Sequence, residues 1–302
     1  MELRHLRYFN AVVKWKGYRE ASRHLHIAQP AISQTVRDLE EELGLKLFSR
    51  AKRIVELTPE GELFHAEALR TVAQAEVAIH TARRAARGEI GRLSIGFLGS
   101  ATYAFLPELV RKFKALFPGV RLTLLELTPL PQELAFNKGE IDLGFTRTLA
   151  PEQSKTLSSR CLYRDRMMVV LPRSRRVAGK RVPVADLANE RFILFHREGS
   201  PFLFDTITDM CNKAGFAPRV HCQPNLMQTV LTLVAAEQGI AIVPACVRNL
   251  TADGVRFYSL HPDEVRVELV VAWKKDNSSV VLRSFLDLID ANATGIRKKA
   301  ET

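Results

Sequence analysis

Four positions near the amino end of the chain carry side chains whose spacing places them on one face of a helix. Pro30, Ser33, Gln34 and Arg37 stand at i, i+3, i+4 and i+7. Glutamine and arginine can form bidentate hydrogen bonds with adenine and guanine in the major groove of DNA, and a serine hydroxyl suits a phosphate or a base edge. This face therefore predicts a helix that reads DNA.

Residues 18–43 contain the two helices that would hold this face. Apolar residues recur there at helical spacing with one interruption near residues 26–28, and they are Ala21, Leu25, Ile27, Ile32, Val36, Leu39 and Leu43. Pro30 fits the first position of the second helix, where its missing N–H costs nothing. The segment predicts a helix-turn-helix. A helical hairpin whose polar face only meets water is the alternative, because such hairpins are common.

The flanking segments predict a third helix and a wing. Residues 3–16 carry an apolar stripe that would close the small core behind the two helices. Residues 50–57 alternate as a short strand does, with Arg50, Lys52 and Arg53 at its start. Cations there would lie along DNA phosphates and add affinity without sequence information, whereas the alternative is a basic turn that is only solvated.

Residues 59–87 predict one long helix, since Thr58 is a good N-cap and Pro59 suits the first position. Small and apolar residues recur along it at steps of three and four, and they are Phe64, Ala68, Val72, Ala75, Ile79, Ala82 and Ala86. This spacing is typical of a coiled-coil seam, so we expect the helix to pair with a second copy. Packing against the C-terminal part of its own chain is the alternative.

The composition fits a globular protein of more than one domain. The chain has 302 residues, 46% of them apolar, and a formal net charge of +11 whose excess lies mostly beyond residue 90. Its four cysteines show no C-x-x-C spacing, which favours reduced thiols over disulfides or a zinc site. Since no apolar run reaches membrane-spanning length and the amino end lacks the apolar core of a signal peptide, we expect a cytoplasmic protein.

Beyond a hinge at residues 88–91 the pattern changes to alternating strands and helices. Strands at residues 93–97, 120–127 and 141–147, with helices between them, predict a parallel βαβαβ unit. A second set includes strands at residues 167–171, 192–195, 220–222 and 240–243 and helices at residues 202–214 and 226–237. A strand at residues 265–273 and a helix at residues 280–292 follow. Two sets of strands and helices result, and a family resemblance implies that they form two α/β lobes with a cleft between them.

Polar residues at the ends of these strands would meet in the cleft, where open α/β sheets bind ligands. The first lobe offers backbone N–H groups and a hydroxyl at Gly99, Ser100 and Ala101, a hydroxyl at Thr128 and a guanidinium at Arg147. The second lobe offers the start of a helix at Ser200, Pro201 and Phe202. We expect a small carboxylated ligand with an apolar body, although each residue taken singly could be a helix cap, a turn residue or a salt-bridge partner.

Enzymatic motifs are missing from the sequence. The eight histidines form no H-E-x-x-H, no serine stands in G-x-S-x-G, and no P-loop is present. We therefore expect no catalytic residues, no metal and no cofactor. An enzyme or a solute carrier built on two lobes is the rival class, together with an architectural DNA binder that takes no ligand.

Residues 1–90 resemble the N-terminal half of the LysR-type transcriptional regulators, above all in MELRHLRYF, EASRHLHIAQPAISQTVRDLEEELGLKLFSR and LTPEG. The resemblance implies a multidomain α+β and α/β protein: a winged helix-turn-helix (residues 1–58), a dimerising linker helix with its hinge (59–90) and a two-lobed effector domain like the type 2 periplasmic binding proteins (91–302). Lobe I would take residues 91–162 and 267–302, and lobe II residues 163–266. Gln29, Pro30, Ser33, Gln34 and Arg37 match the reading helix, and Arg50 and Arg53 match the wing.

The C-terminal half is similar, more loosely, to regulators of aromatic catabolism that respond to acids such as muconate, in IGFLGSATYAFLPELVRKFKALFPGVRL, IDLGFTR and LVAAEQGIAIVPA. The resemblance implies a dimer of dimers on an interrupted inverted repeat of promoter DNA, contact with RNA polymerase, and activation as a common outcome. Arg160 could hold a second acidic ligand, as in some relatives, or form a surface salt bridge.

Overall fold

A computed structural model describes residues 1–49, 55–177, 179, 181–250 and 252–301. It divides the chain into two compact units, Met1–Arg84 and Ala85–Thr302, which we call the N-terminal and C-terminal units. Within the described residues, no helix is long and apolar enough to cross a membrane.

Three helices form the small core of the N-terminal unit, as the apolar spacing predicts. They are α1 (Leu3–Lys14), α2 (Tyr18–Leu25) and α3 (Gln29–Leu43), and they bury Phe9, Val12, Ala21, Ile32, Val36 and Leu39 between them. His26 makes the tight turn in the left-handed region at φ 55°, and Gly44 ends α3 at φ 70°. Because α3 begins at Gln29, Pro30 is its second residue and not its first.

The wing lies only partly within the described residues. Phe48 and Leu57 form an antiparallel bridge, and the Ser49 N–H donates to the Glu56 carbonyl at 2.9 Å. The predicted basic tip with Arg50, Lys52 and Arg53 lies outside the described residues. The base of the predicted wing is thus an antiparallel pair of short segments, and Phe48 and Leu57 pack at the helical core.

Helix α4 (Pro59–Ala86) begins where the capping pattern predicts, and the Gly61 N–H donates to Thr58 Oγ1 at 2.9 Å. The predicted seam is not all available to a second copy. Phe64, Ala68 and Val72 pack against the small core of their own unit because the first turns of α4 cover it. Farther along, Ile79 is exposed and so is Val77 on the other side of the helix.

The C-terminal unit alternates strands and helices. Its strands are β1 (Ile90–Phe97), β2 (Gly119–Glu126), β3 (Leu143–Thr146), β4 (Leu157–Pro172), β5 (Arg181–Pro183), β6 (Arg191–Ile193), β7 (Arg219–Cys222), β8 (Ala241–Pro244), β9 (Val255–His261) and β10 (Arg266–Lys274). Its helices are α5 (Gly99–Thr102), α6 (Leu106–Leu116), α7 (Pro129–Lys138), α8 (Gln153–Thr156), α9 (Pro201–Lys213), α10 (Met227–Ala235), α11 (Val280–Ala291) and α12 (Ala293–Glu301), with 3-10 turns at Val184–Leu187 and Ala245–Asn249.

The strands form two lobes that share β4. Strands β2, β1 and β3 are parallel, as the βαβαβ pattern predicts, and β10 pairs antiparallel with β3 and with residues 157–166 of β4. In the second lobe, residues 167–172 of β4 pair with β8 and β9. Strands β6 and β7 of this lobe pair with each other, and a bridge joins Phe192 of β6 to Ile240, the residue before β8. One strand of 16 residues therefore belongs to both lobes.

The strand predictions differ from the structure in two respects and the hinge prediction in one. The strand predicted at residues 167–171 is the second half of β4, since its first half carries Arg160, Arg164 and Asp165 and shows no apolar run. Strands β5 and β9 were not predicted. Residues 90 and 91 of the predicted hinge (88–91) belong to β1, because Ile90 and Gly91 pair with Gly119 and Val120.

Candidate functional sites

The predicted DNA-reading face lies on the outer side of α3. Gln29, Pro30, Gln34 and Arg37 are exposed and Ser33 is half-buried. Arg37 Nη2 donates to Ser33 Oγ at 3.2 Å, and Gln34 Nε2 donates to Asp38 Oδ1 at 2.7 Å. Both side chains retain further hydrogen-bonding capacity, because a guanidinium has five donors and an amide also has an acceptor oxygen. The face can therefore offer both donors and acceptors to base edges.

A buried carboxylate of α3, at the border between its apolar side and the predicted reading face, anchors the start of the wing. Glu40 Oε1 accepts from the backbone N–H groups of Leu47 at 2.9 Å and of Phe48 at 3.3 Å, and Oε2 pairs with Lys46 Nζ at 2.8 Å. Burial acts to raise the pKa of Glu40, but these hydrogen bonds outweigh it and hold the pKa below its ordinary value. The sequence analysis missed Glu40, although it lies four residues after buried Val36 and so on the apolar side.

We expect Glu40→Gln to lower the free energy of unfolding of the N-terminal unit by about 2 kcal/mol at pH 7, the usual contribution of hydrogen bonds to a charged group. Since the native pKa is lowered, this contribution is complete above the ordinary carboxyl value of 4.5 and is lost as the pH falls through the native pKa. Urea unfolding followed by Trp15 fluorescence, in a Trp273→Phe background that silences the C-terminal unit, measures it.

Exposed Glu41 in the same helix provides the matched control. Glu41→Gln should leave the urea midpoint nearly unchanged at every pH. A Glu40→Gln effect that persisted at full size at pH 3 would contradict an electrostatic role for Glu40.

A cavity of about 650 Å³ opens between the two lobes of the C-terminal unit. Five of the eight ligand-binding residues proposed from the sequence line it, and they are Gly99, Ser100, Thr128, Arg147 and Ser200. Each stands beyond a strand end or before a helix, as the cleft rule requires: α5 follows β1, Thr128 precedes α7, Arg147 follows β3 and Ser200 precedes α9.

The other three predicted residues do not line the cavity. Ala101 is buried behind it, with its carbonyl accepting from the Tyr163 hydroxyl at 2.7 Å. Pro201 and Phe202 begin α9, and the Phe202 side chain is 45% exposed and so does not form the aromatic wall that the sequence suggested. Phe195 supplies an aromatic side chain to the cavity instead.

Arg147 is the most unusual group at the cavity because it is a buried cation with weak partners. Its side chain is only 7% exposed, Nη1 donates to the Glu268 carbonyl at 3.4 Å, and Nη2 contacts Cys246 Sγ at 3.7 Å. Among the described residues no carboxylate pairs with it. Burial raises the pKa of Cys246 to about 12, although Arg147 opposes the shift, so the thiol stays protonated and does not neutralise the guanidinium. The buried Asp165 carboxylate accepts the backbone N–H of Cys246 at 2.9 Å and forms no ion pair with Arg147.

The cavity also has lining that the sequence analysis did not identify. The second lobe contributes the residues that open α10 and those that close the second 3-10 turn, which are Asn225, Leu226, Met227, Gln228, Asn249 and Leu250. The first lobe adds Tyr103 and Glu126. Asn225 could have been predicted to line the cavity, because it lies just before the start of α10. Glu126 could not, because it is the last residue of β2 and the strand-end rule points to residues that follow a strand.

Arg160 lies outside this cavity. Its guanidinium forms an ion pair with Asp290 and lies 5.5 Å from the centre of the Trp273 ring. Of the two alternatives for Arg160, the structure shows the surface salt bridge.

A helix-turn-helix with a partly described wing, a long helix and a two-lobed domain with a cavity define a class of ligand-responsive DNA-binding regulators. Residues 3–62 match the family model described as bacterial regulatory helix-turn-helix protein, lysR family, and residues 86–294 match the LysR substrate binding domain. The chain belongs to the LysR family of transcriptional regulators, and its relatives are regulators and not enzymes.

Individual relatives cover nearly the whole chain. It is 35% identical over 295 residues to the HTH-type transcriptional regulator AlsR of Bacillus subtilis (strain 168), covering 97% of each chain. It is 34% identical over 289 residues to TfdS of Cupriavidus pinatubonensis (strain JMP 134 / LMG 1197), covering 95% of this chain and 97% of TfdS. The crystal structure of full-length CbnR with its target DNA is similar at a TM-score of 0.79 and 28% identity, covering 97% of this chain and 100% of CbnR.

Proposed function

We propose that this DNA-binding transcriptional regulator senses a small carboxylated molecule with an apolar body, drawn from aromatic catabolism, in the cavity between its two lobes. The observation that carries the proposal is Arg147, a cation that is nearly buried, lines the cavity and has no carboxylate partner among the described residues. Burying a cation without an anion is costly. A ligand carboxylate would supply the missing charge.

The remaining lining fits the rest of such a ligand. Ser100, Thr128 and Ser200 provide hydroxyl groups on both sides of the cavity. Leucines, a methionine and a phenylalanine provide apolar surface, and they are Leu98, Leu127, Phe195, Leu203, Leu226, Met227 and Leu250. Ligand sites commonly combine a mostly apolar wall with a few convergent polar groups.

A thermal-shift screen of the purified chain against small aromatic and aliphatic acids, with a promoter fragment present, tests the proposal. We expect carboxylates to raise the midpoint of the C-terminal unit and the corresponding primary amides to have no effect. Amides that stabilise the protein as well as the acids do would contradict the proposed role of charge.

For DNA binding, we propose that two copies pair through the part of α4 beyond Val72, which does not pack on the small core. The pair would set its two α3 faces on the half-sites of an interrupted inverted repeat, and two such dimers would associate as a tetramer. Within this proposal the domains are residues 1–58, 59–90 and 91–302. Ligand binding would shift the balance between two assemblies on a promoter in the cytoplasm and so alter contact with RNA polymerase, with activation as the outcome that the family resemblance suggests is common.

We expect Arg37→Ala to weaken operator binding about tenfold, the loss of one good side-chain contact to a base or a phosphate. A mobility-shift assay over a range of salt concentrations distinguishes the two kinds of contact. A base contact relaxes specificity at one position, whereas a phosphate contact lowers the salt dependence and weakens all sequences alike.

Arg70→Ala is the control, since Arg70 is an exposed arginine of α4 paired with Glu67 and lies outside the reading face. Its operator affinity should match that of the parent protein. Equal affinities for Arg37→Ala and Arg70→Ala would remove Arg37 from the DNA-binding surface.

A further inference from the structure

The cavity carries one charge of each sign. Among the described residues that line it, Arg147 is the one cation and Glu126 the one anion. The other polar lining groups are hydroxyls, amides and backbone groups. Arg147 can neutralise one ligand carboxylate, whereas Glu126 is opposed by no lining cation of its own.

Contacts hold the Glu126 carboxylate in place at the start of α5. Tyr103 donates its hydroxyl to Glu126 Oε2 at 3.3 Å. Oε1 lies against Gly99, where an added Cβ would be 2.1 Å away. Burial and the adjacent carboxylate raise the pKa of Tyr103, so this hydroxyl remains a donor across the neutral range. The anion therefore lies against Gly99 and Tyr103, which line the same cavity.

A second ligand carboxylate at this wall would face a fixed charge of its own sign and no cation. Two carboxylates within the same cavity repel each other. The solvent that reaches exposed Glu126 reduces this repulsion but does not remove it. A hydroxyl, an amine or an apolar end would meet no such penalty. The asymmetry of charge therefore discriminates between acids with one carboxylate and acids with two.

We propose that Glu126 is a specificity-determining residue that restricts the effector to monocarboxylates and rejects dicarboxylates of the same carbon skeleton. This inference rests on the carboxylate-sensing function proposed above and narrows it. It also opposes a muconate-like diacid as the natural effector.

Calorimetric titration of the purified full chain with three matched pairs tests the inference: sorbate and muconate, 4-methylbenzoate and terephthalate, and butanoate and succinate. We expect at least one monocarboxylate to bind, with its dicarboxylate about tenfold weaker. Glu126→Gln should bring the two members of that pair within about threefold of each other, chiefly by tightening the dicarboxylate. Glu140→Gln, which neutralises an exposed acid of the same lobe away from the cavity, should leave the ratio as in the parent protein.

The outcomes separate the two proposals. A dicarboxylate that binds the parent protein as tightly as its partner, or a ratio that Glu126→Gln leaves unchanged, overturns the role of Glu126 while carboxylate sensing stands. No binding by any of the six acids overturns both proposals.

Discussion

Arg147→Met should weaken carboxylate binding to the C-terminal unit about hundredfold. Methionine fills similar volume without charge or donors, so the variant removes the one lining cation from the described part of the cavity. Truncating one member of a buried charge pair commonly costs about 3 kcal/mol, which corresponds to this factor. Folding should survive, because Arg147 forms no ion pair among the described residues and its removal breaks no buried ion pair. Calorimetry with the tightest acid measures the loss.

Arg160→Met is the matched control for charge. Arg160 is paired with Asp290 on the surface and lies outside the cavity, so its removal should change affinity for the acid less than twofold. Operator binding without effector should be unchanged in both variants. An Arg147→Met protein that bound the acid as the parent does would place the ligand's negative charge elsewhere.

Gly61→Ala should destabilise the N-terminal unit by about 3 kcal/mol, at the upper end for a methyl group inserted into packed structure. A Cβ at Gly61 would lie 2.2 Å from the Leu47 carbonyl oxygen and 3.0 Å from its carbon. The obstacle is backbone, and the same oxygen accepts the Thr58 N–H at 2.9 Å, so it cannot move without breaking the junction of wing and α4. At an open helical site alanine would instead stabilise by about 1 kcal/mol.

Gly17→Ala in the same unit separates the clash from general effects of glycine replacement. Gly17 precedes α2, and nothing lies within 4 Å of an added Cβ, so we expect a loss below about 1 kcal/mol. Urea unfolding followed by Trp15 compares the two variants. If Gly61→Ala were as stable as Gly17→Ala, the backbone at Leu47 would be able to move away from the added methyl group with little loss of stability.

Local patterns predicted the parts of the fold that depend on neighbours in sequence. The apolar spacing of residues 18–43 gave α2 and α3, because both helices bury residues of one short segment. The first half of β4 could not be found in this way. It is stabilised by pairing with β10, about 100 residues farther along. Its sequence shows no apolar run, since exposed Arg164 is followed by Asp165, which is charged and buried.

The sequence likewise predicted only part of the lining of the cavity. Strand-end reasoning located Ser100, Thr128 and Arg147 correctly at the cavity, because topology alone brings those ends together. It could not show that Arg147 forms no ion pair with a carboxylate of the described residues, or that the Glu126 carboxylate rests against Gly99. Both depend on packing between segments that are distant in sequence.

Strand β4 passes between the lobes without interruption, and this determines what kind of movement the C-terminal unit can make. Its partners change from β10 to β8 and β9 between Arg166 and Met167, so the lobes are connected by a hydrogen-bonded ribbon and not by a loose joint. If one lobe rotates relative to the other, the backbone of β4 and of residues 262–265, which connect β9 to β10, must twist. If the C-terminal unit has two forms that differ in this torsion, a ligand changes the ratio of their populations by at most the ratio of its affinities for the two forms.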